Sequence, residues 1–174
     1  MKLKLSIASW VFNWLFANYP AQRRADFVIG NSPDAYLYRW YVFGRKKHKD
    51  GRTISKSFLG HRAYLHCFQR SDDDRAHHDH PSYSISLSLV GSAVEHTIEK
   101  GGVQKTRQLK TGDIRLRSAK FAHRIEINDG NYWTLFIFGP NFREWGFHCP
   151  AGWIHWRKFT ASDDAGKIGE GCSE

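Results

Sequence analysis

"HHDHPSYSISLSLVG", His77 to Gly91, packs three histidines into four positions and then alternates serine with apolar residues up to a glycine. That alternation has period two, the period of a β-strand with one face buried. On extended chain the spacing H-x-H also puts the imidazoles of His78 and His80 on one side, where they can share a metal ion. A pair is not a site until a third ligand joins it. If Ser82, Ser84, Ser86 and Ser88 point inward, then Tyr83, Ile85, Leu87 and Leu89 form an outer apolar face that must be covered. The candidate covers are an N-terminal helix, through Trp10 and Trp14, and a second copy of the chain. A one-residue bulge at Pro81 would reverse the whole pattern.

Working outward, seven further stretches read as strands: "YLYRWYVFG" from Tyr36, "RAYLHCFQ" from Arg62, "AVEHTIE" from Ala93, "VQKTRQL" from Val103, "DIRLRS" from Asp113, "HRIEIN" from His123 and "YWTLFIFG" from Tyr132. They are rich in aromatic and β-branched residues. Turn signals separate most of them, at Gly60, Gly91, Gly101-Gly102, Thr111-Gly112 and Asp129-Gly130. Short strands at this spacing predict an all-β sandwich or small barrel, with a helix at the N-terminus. Ile7, Trp10, Val11, Trp14 and Leu15 recur at helical period and are the expected buried face of that helix. The aromatic stretch Phe138 to Phe159 reads as a hydrophobic plug closing one end, with a stacking platform for a ligand as the alternative.

The length, 174 residues, suits one domain: an arm over 1–35, a barrel over 36–159 and a polar tail over 160–174, loosely held unless Cys172 is pinned. A net charge of +9 attracts anions in general without choosing one. Its densest run, "GRKKHKDGR" from Gly44, has no nucleic-acid motif beside it, reads as a solvated loop, and gives no ground to expect nucleic acid as a partner. Three cysteines, Cys67, Cys149 and Cys172, without a C-x-x-C pair indicate neither a disulfide framework nor a zinc ribbon, which fits a reducing, cytoplasmic setting. The N-terminal apolar stretch is too short to span a bilayer and lacks a small-x-small cleavage site, so no membrane partner is expected.

The histidine spacing resembles the cupin superfamily, small jelly-roll barrels carrying two motifs. In the first, His78 and His80 fill the H-x-H pair and Gly91 the closing glycine, while Ser84 stands where a glutamate ligand is usual and Asp72 where a glycine opens the motif. In the second, Gly112 and His123 fit the ends, and Ser118, Lys120 and Ile127 replace the usual proline, glycine and asparagine. The resemblance covers roughly residues 60 to 138. "HHDHP", "AHR" and "WTLFIFGP" also resemble small stand-alone bacterial and phage cupins.

This resemblance implies an all-β, cupin-type jelly-roll barrel with a short N-terminal helix and a divalent metal held by His78, His80 and His123. Without the glutamate it is similar to the three-histidine cupins, of which the thiol dioxygenases are best known. Three neutral imidazoles leave the charge of a divalent ion uncompensated, which favours an anionic small-molecule ligand and ferrous iron, with zinc or nickel as alternatives. The expected function is a small-molecule dioxygenase or related oxidoreductase; the rival is a non-catalytic module that binds or senses an anion. A sugar-type isomerase is disfavoured, because no carboxylate and lysine pair is available for acid and base work. No catalytic residue beyond the ligands can be assigned. His77 should point away from the pair, supporting the ligands from behind or lying at the surface, with replacement of His78 as the alternative. His61, His66, His148 and His155 read as surface or core residues, and Glu95 reads as an exposed strand residue, with a ligand or hydrogen-bond acceptor as the alternative.

Overall fold

The computed structural model describes residues 2–30, 35–72, 76–98, 102–127, 130–162 and 169–172. The predicted turns at Gly101-Gly102 and Asp129-Gly130 lie partly outside these residues. The chain opens with α1 (Lys2–Asn18), then β1 (Phe27–Ile29), β2 (Leu37–Tyr41), a short hairpin of β3 (Arg45–Lys47) and β4 (Thr53–Ser55), and β5 (Arg62–Phe68). Next come β6 (His77–His78), β7 (Ser84–Val90), β8 (Ser92–Ile98), β9 (Gln104–Lys110) and β10 (Ile114–Arg117). It ends with β11 (His123–Ile127), β12 (Tyr132–Phe138), β13 (Gly146–Cys149), β14 (Gly152–His155) and the single turn α2 (Trp156–Phe159).

Two six-stranded antiparallel sheets result, in the orders β1-β2-β5-β12-β7-β10 and β14-β13-β6-β11-β8-β9. The chain passes between these sheets at β5 to β6, β6 to β7, β7 to β8, β9 to β10, β10 to β11, β11 to β12 and β12 to β13, which makes the jelly roll. All eight sequence-predicted strands are present. The remaining six are short. The basic run holds the hairpin β3-β4, whose first strand is exposed throughout, rather than a plain loop.

Gly91 shows why the closing glycine of the first motif is there. Its φ is +85°, and a Cβ would stand 2.6 Å from the carbonyl oxygen of Asn131, so only glycine can turn the chain from one sheet to the other here. The strand before it keeps the predicted phase. Ser82, Ser84, Ser86 and Ser88 are all buried, and no bulge at Pro81 reverses them.

The outer face is covered by α1, through only two of the five expected residues, Val11 and Leu15. Leu15 packs with Leu89, Leu65, Trp40 and Cys67, joined by Val11 and Phe12, while Ala8 is also buried. Trp10 and Trp14 are 69% and 51% exposed, and Ile7 is exposed as well. The helix is apolar nearly all round, so two stripes share its period; the rings of Phe12 and Phe16 against Trp133 decide which faces the sheet. Cover stops short of the whole strand, since Tyr83 and Ile85 remain exposed.

The aromatic segment is the hairpin β13-β14 followed by α2, joined to the second sheet through β6. Cys149 and Cys172 form a disulfide across a separation of 23 residues, which corrects the reading of the cysteines as unpaired and pins the tail. Disulfides persist in oxidising surroundings, so a reducing setting does not follow from the cysteines. No helix among the described residues is long and apolar enough to cross a membrane.

Candidate metal centre and ligand cavity

His78 ends β6 and His80 follows two residues later, and His123 lies directly opposite His78 in the antiparallel pair β6-β11. Cross-strand partners have their side chains on one face, so a third imidazole joins the pair. The ring centroids of His78, His80 and His123 are 4.9 to 5.2 Å apart, and one ligand nitrogen from each lies within 4.8 Å of the others. These are the three residues singled out by sequence. Nε2 of His80 and Nε2 of His123 are 2.9 Å apart, inside the roughly 4.2 Å that two nitrogens at metal-bond length from one centre can span.

Glu95 fixes how His123 is presented. It is fully buried on β8, not exposed, and its Oε1 accepts from Nδ1 of His123 at 3.0 Å and from Nε of Arg117 at 2.6 Å. With the proton on Nδ1, the lone pair of His123 sits on Nε2 and faces the other imidazoles. Arg115 reaches Oε2 at 3.2 Å, and Arg117 donates onward to Ser86. Burial pushes the Glu95 carboxyl up, but the His123 hydrogen bond and the Arg117 charge outweigh it and hold it at about 2. Glu95 therefore orients His123 and keeps its own oxygens occupied.

Burial drives the imidazole of His123 down to about 3, against the pull of Glu95, and burial with the two neighbouring imidazoles holds His80 well below its ordinary value. Both rings are neutral at physiological pH. They offer the lone pairs that a divalent ion needs. Ser84, at the position of the usual glutamate, is buried with an Oγ that finds no hydrogen-bond partner among the described residues, so the donor set is three imidazoles.

Asp79, the middle residue of H-D-H, points the other way and is buried. It accepts from the Gly146 N–H at 2.9 Å, from Arg143 and His148 at 3.1 Å and from the Trp153 indole at 3.2 Å. Burial raises its pKa, but these donors outweigh that and lower it. One carboxylate thus ties β13-β14 to the histidine motif. His77 is buried beside that hairpin, opposite His148, rather than at the surface. Asp72, where the motif usually opens with glycine, accepts from the Ile125 N–H at 2.6 Å and from the Tyr36 hydroxyl, and stands 3.9 Å from Nδ1 of His78.

The three histidines line a cavity of about 420 Å³. Trp145, Phe147 and Phe159 form one wall of it, so the predicted plug is also lining. The facing wall belongs to the first sheet and was not foreseen. Arg39 on β2 donates from Nε to Nε2 of His66 at 2.8 Å and lies over the Tyr64 ring, 4.8 Å from its centroid. His66 is buried and stacked against Tyr64 and Phe136. Burial and the Arg39 charge drive its imidazole well below its ordinary value, which suits an acceptor at Nε2. Burial lowers the pKa of Arg39, and no carboxylate pairs with it among the described residues. His61, by contrast, is partly exposed and bonds the Tyr83 hydroxyl, and His155 pairs with exposed Glu144.

No protein-family model matches the sequence, and no curated protein does. Among solved structures, oxalate oxidase in complex with the substrate analogue glycolate superposes with a TM-score of 0.50 at 13% identity, covering 78% of this chain and 63% of that one. A cupin superfamily protein from Desulfitobacterium hafniense gives 0.44 at 14% identity over 64% of this chain and 84% of that one. The DMSP lyase DddQ from Ruegeria pomeroyi gives 0.45 at 18% identity over 66% of this chain. The chain spans about half the length of that lyase, 52%. At these identities the likeness speaks for the fold alone, a cupin-type jelly roll.

Proposed function

We propose that this protein is a metal-dependent cupin acting on a small anionic molecule, in the class of the dioxygenases and related oxidoreductases. The observation that carries this reading is the convergence of three imidazoles in the wall of a cavity of about 420 Å³ whose opposite wall presents Arg39, which has no carboxylate partner among the described residues. His78, His80 and His123 would hold the ion, and ferrous iron bound there would supply redox chemistry with coordination positions left open to ligands.

The chain's own groups supply the rest. Glu95 and Arg117 hold His123 in one tautomer, Arg39 and Arg62 give the cavity a positive side, and Phe136, Phe138 and Phe147 keep its waist apolar. The oxalate oxidase neighbour is an oxidase of a small carboxylate on the same fold, an analogy that lends the reading weight without fixing the substrate.

The test begins with metal analysis of protein purified without a metal-capturing tag. Apoprotein is then reconstituted with ferrous iron, and oxygen uptake is followed against a panel of thiols, diketones and small carboxylates. Uptake with one class supports the proposal. Thermal stabilisation by an anion with no oxygen uptake for any metal would instead make the protein an anion-binding or sensing module.

A further inference from the structure

Residues 169–172 fold back onto the aromatic wall of the cavity. The N–H groups of Gly169 and Gly171 both donate to the carbonyl of Phe159, at 2.7 and 3.2 Å. At Gly169 the backbone passes so close to Thr160 that a Cβ would stand 2.5 Å from its carbonyl oxygen, an approach only glycine permits. Cys172 is then bonded to Cys149 of β13, with the two Cα atoms 5.4 Å apart. One short segment is therefore fastened twice, by hydrogen bonds to α2 and covalently to β13.

What lies under it is the ligand space. Phe159 is 1% exposed and stacks on Phe147 with ring centroids 3.7 Å apart, and both rings line the cavity. Phe147 in turn lies 5.9 Å from the ring of His78. Trp145, also lining, stacks on Trp156 of α2.

We propose that Gly169–Cys172, held by the Cys149–Cys172 disulfide, is a size-selecting element of the cavity, pressing Phe159 onto Phe147 and so fixing the depth of the ligand space beside His78. The proposal rests on the reading of this cavity as a ligand site. A dithiol reductant opens the bridge by taking the place of one sulfur and then closing to its own disulfide. Two electrons and two protons pass to the protein, leaving free thiols at positions 149 and 172. The segment then keeps its backbone hydrogen bonds and the packing of Cys172 but loses its covalent tie, Phe159 can move outward, and larger ligands enter. Cys67 does not interfere: it is buried, and burial pushes its thiol up to about 12, so the chain holds no thiolate of its own to attack the bridge.

The test uses the full chain loaded with cobalt, with azide as a small probe and benzoate as a bulky one, each Kd read from the visible cobalt spectrum. Reduced protein is freed of dithiol before loading and kept anaerobic. Azide affinity should change little, while benzoate affinity should rise about tenfold on reduction, in Cys172→Ser and in Phe159→Ala with the bridge intact, the scale on which pockets discriminate by size. Unchanged benzoate affinity in all three overturns the proposal, as does an intact mass showing no disulfide in aerobically purified protein.

A second readout needs no metal. Amide exchange over residues 146–149 and 156–160 of the apoprotein should quicken about tenfold on reduction, reporting local opening. Equal exchange in bridged and reduced protein overturns the clamp. If exchange quickens but cobalt never binds, the metal reading fails and the clamp stands. Should Cys172→Ser not fold, reduced wild-type protein carries the comparison.

Discussion

The two walls that face each other across the cavity are assembled by different routes. On the second sheet, two of the clustered histidines sit two residues apart on one extended segment, and the third is the direct cross-strand partner of one of them. On the first sheet, Arg39, His66 and Phe136 come from three strands far apart in sequence, and they meet only because β2, β5 and β12 pair in the observed register. The histidine wall is a local pattern completed by one contact, whereas the arginine wall exists only once the sheet has formed. Their chemistry is correspondingly separate, and each wall can be broken without the other.

The largest effect is expected at the histidine wall. Replacing His80 and His123 together by alanine should take metal content from about one ion per chain to none, since one imidazole is too few donors for a stable site. Metal analysis after dialysis against a weak chelator checks this. Full metal content in that variant would refute the three-histidine assignment.

Next in size is Glu95, the brace behind His123. Glu95→Ala leaves Arg117 buried without its carboxylate and should cost about 3–5 kcal/mol of stability, measured by urea unfolding of the apoprotein. Glu95→Gln keeps the volume and an acceptor oxygen, and should weaken metal affinity by about 10–100-fold with a smaller loss of stability. A Gln variant with wild-type affinity would mean that Glu95 serves the barrel and not the ligand.

The arginine wall comes third. Arg39→Met keeps most of the side-chain volume and removes the charge. It should weaken binding of small anions by about 1.5–3 kcal/mol, the worth of a charged hydrogen bond, while leaving metal content as it is. If metal content falls as far as anion affinity, the two walls are not independent and the comparison fails.

The legibility of these parts follows their physics. The serine alternation and the H-x-H pair are set by strand period, so the sheet phase and the shared side of His78 and His80 could be read directly, whereas His123 is placed by the resemblance to the second cupin motif. The face of α1 could be read only in part: Val11 and Leu15 pack as expected, but Trp10, Trp14 and Ile7 share helical period with Ala8 and Phe12, and Trp133 on a distant strand separates the two stripes. Glu95 reads as an ordinary strand residue until Arg117 and His123 are placed beside it. The bridge between Cys149 and Cys172 depends on the tail returning to β13, which the spacing of the cysteines does not encode. Arg39 and His66 carried no local signal, although an arginine among aromatics in "YLYRWYVF" stands where a strand buries both faces.

The smallest effect sharpens the arginine wall through pH. His66 is buried, and its folded-state imidazole titrates well below the ordinary 6.5. As pH falls through about 6.5, the unfolded chain takes up a proton at this position and the folded chain does not, so stability falls with acidification. The contribution is fully present above that pH and is lost progressively below it, at about 1.4 kcal/mol per pH unit for one proton. His80 and His123 are depressed in the same direction and add to the slope in the apoprotein, and Glu95 joins them only below its unfolded value of 4.5. In His66→Gln, whose carbonyl can still accept from Arg39, the dependence of unfolding free energy on pH between about 6.5 and 5 should therefore be shallower than wild type by about one proton, without vanishing. Urea unfolding of the two apoproteins at several pH values in that window measures the difference. Parallel slopes would mean that His66 takes up a proton in the folded protein as readily as in the unfolded one. A charged imidazole cannot accept from Arg39, so the wall would then be built on some other contact.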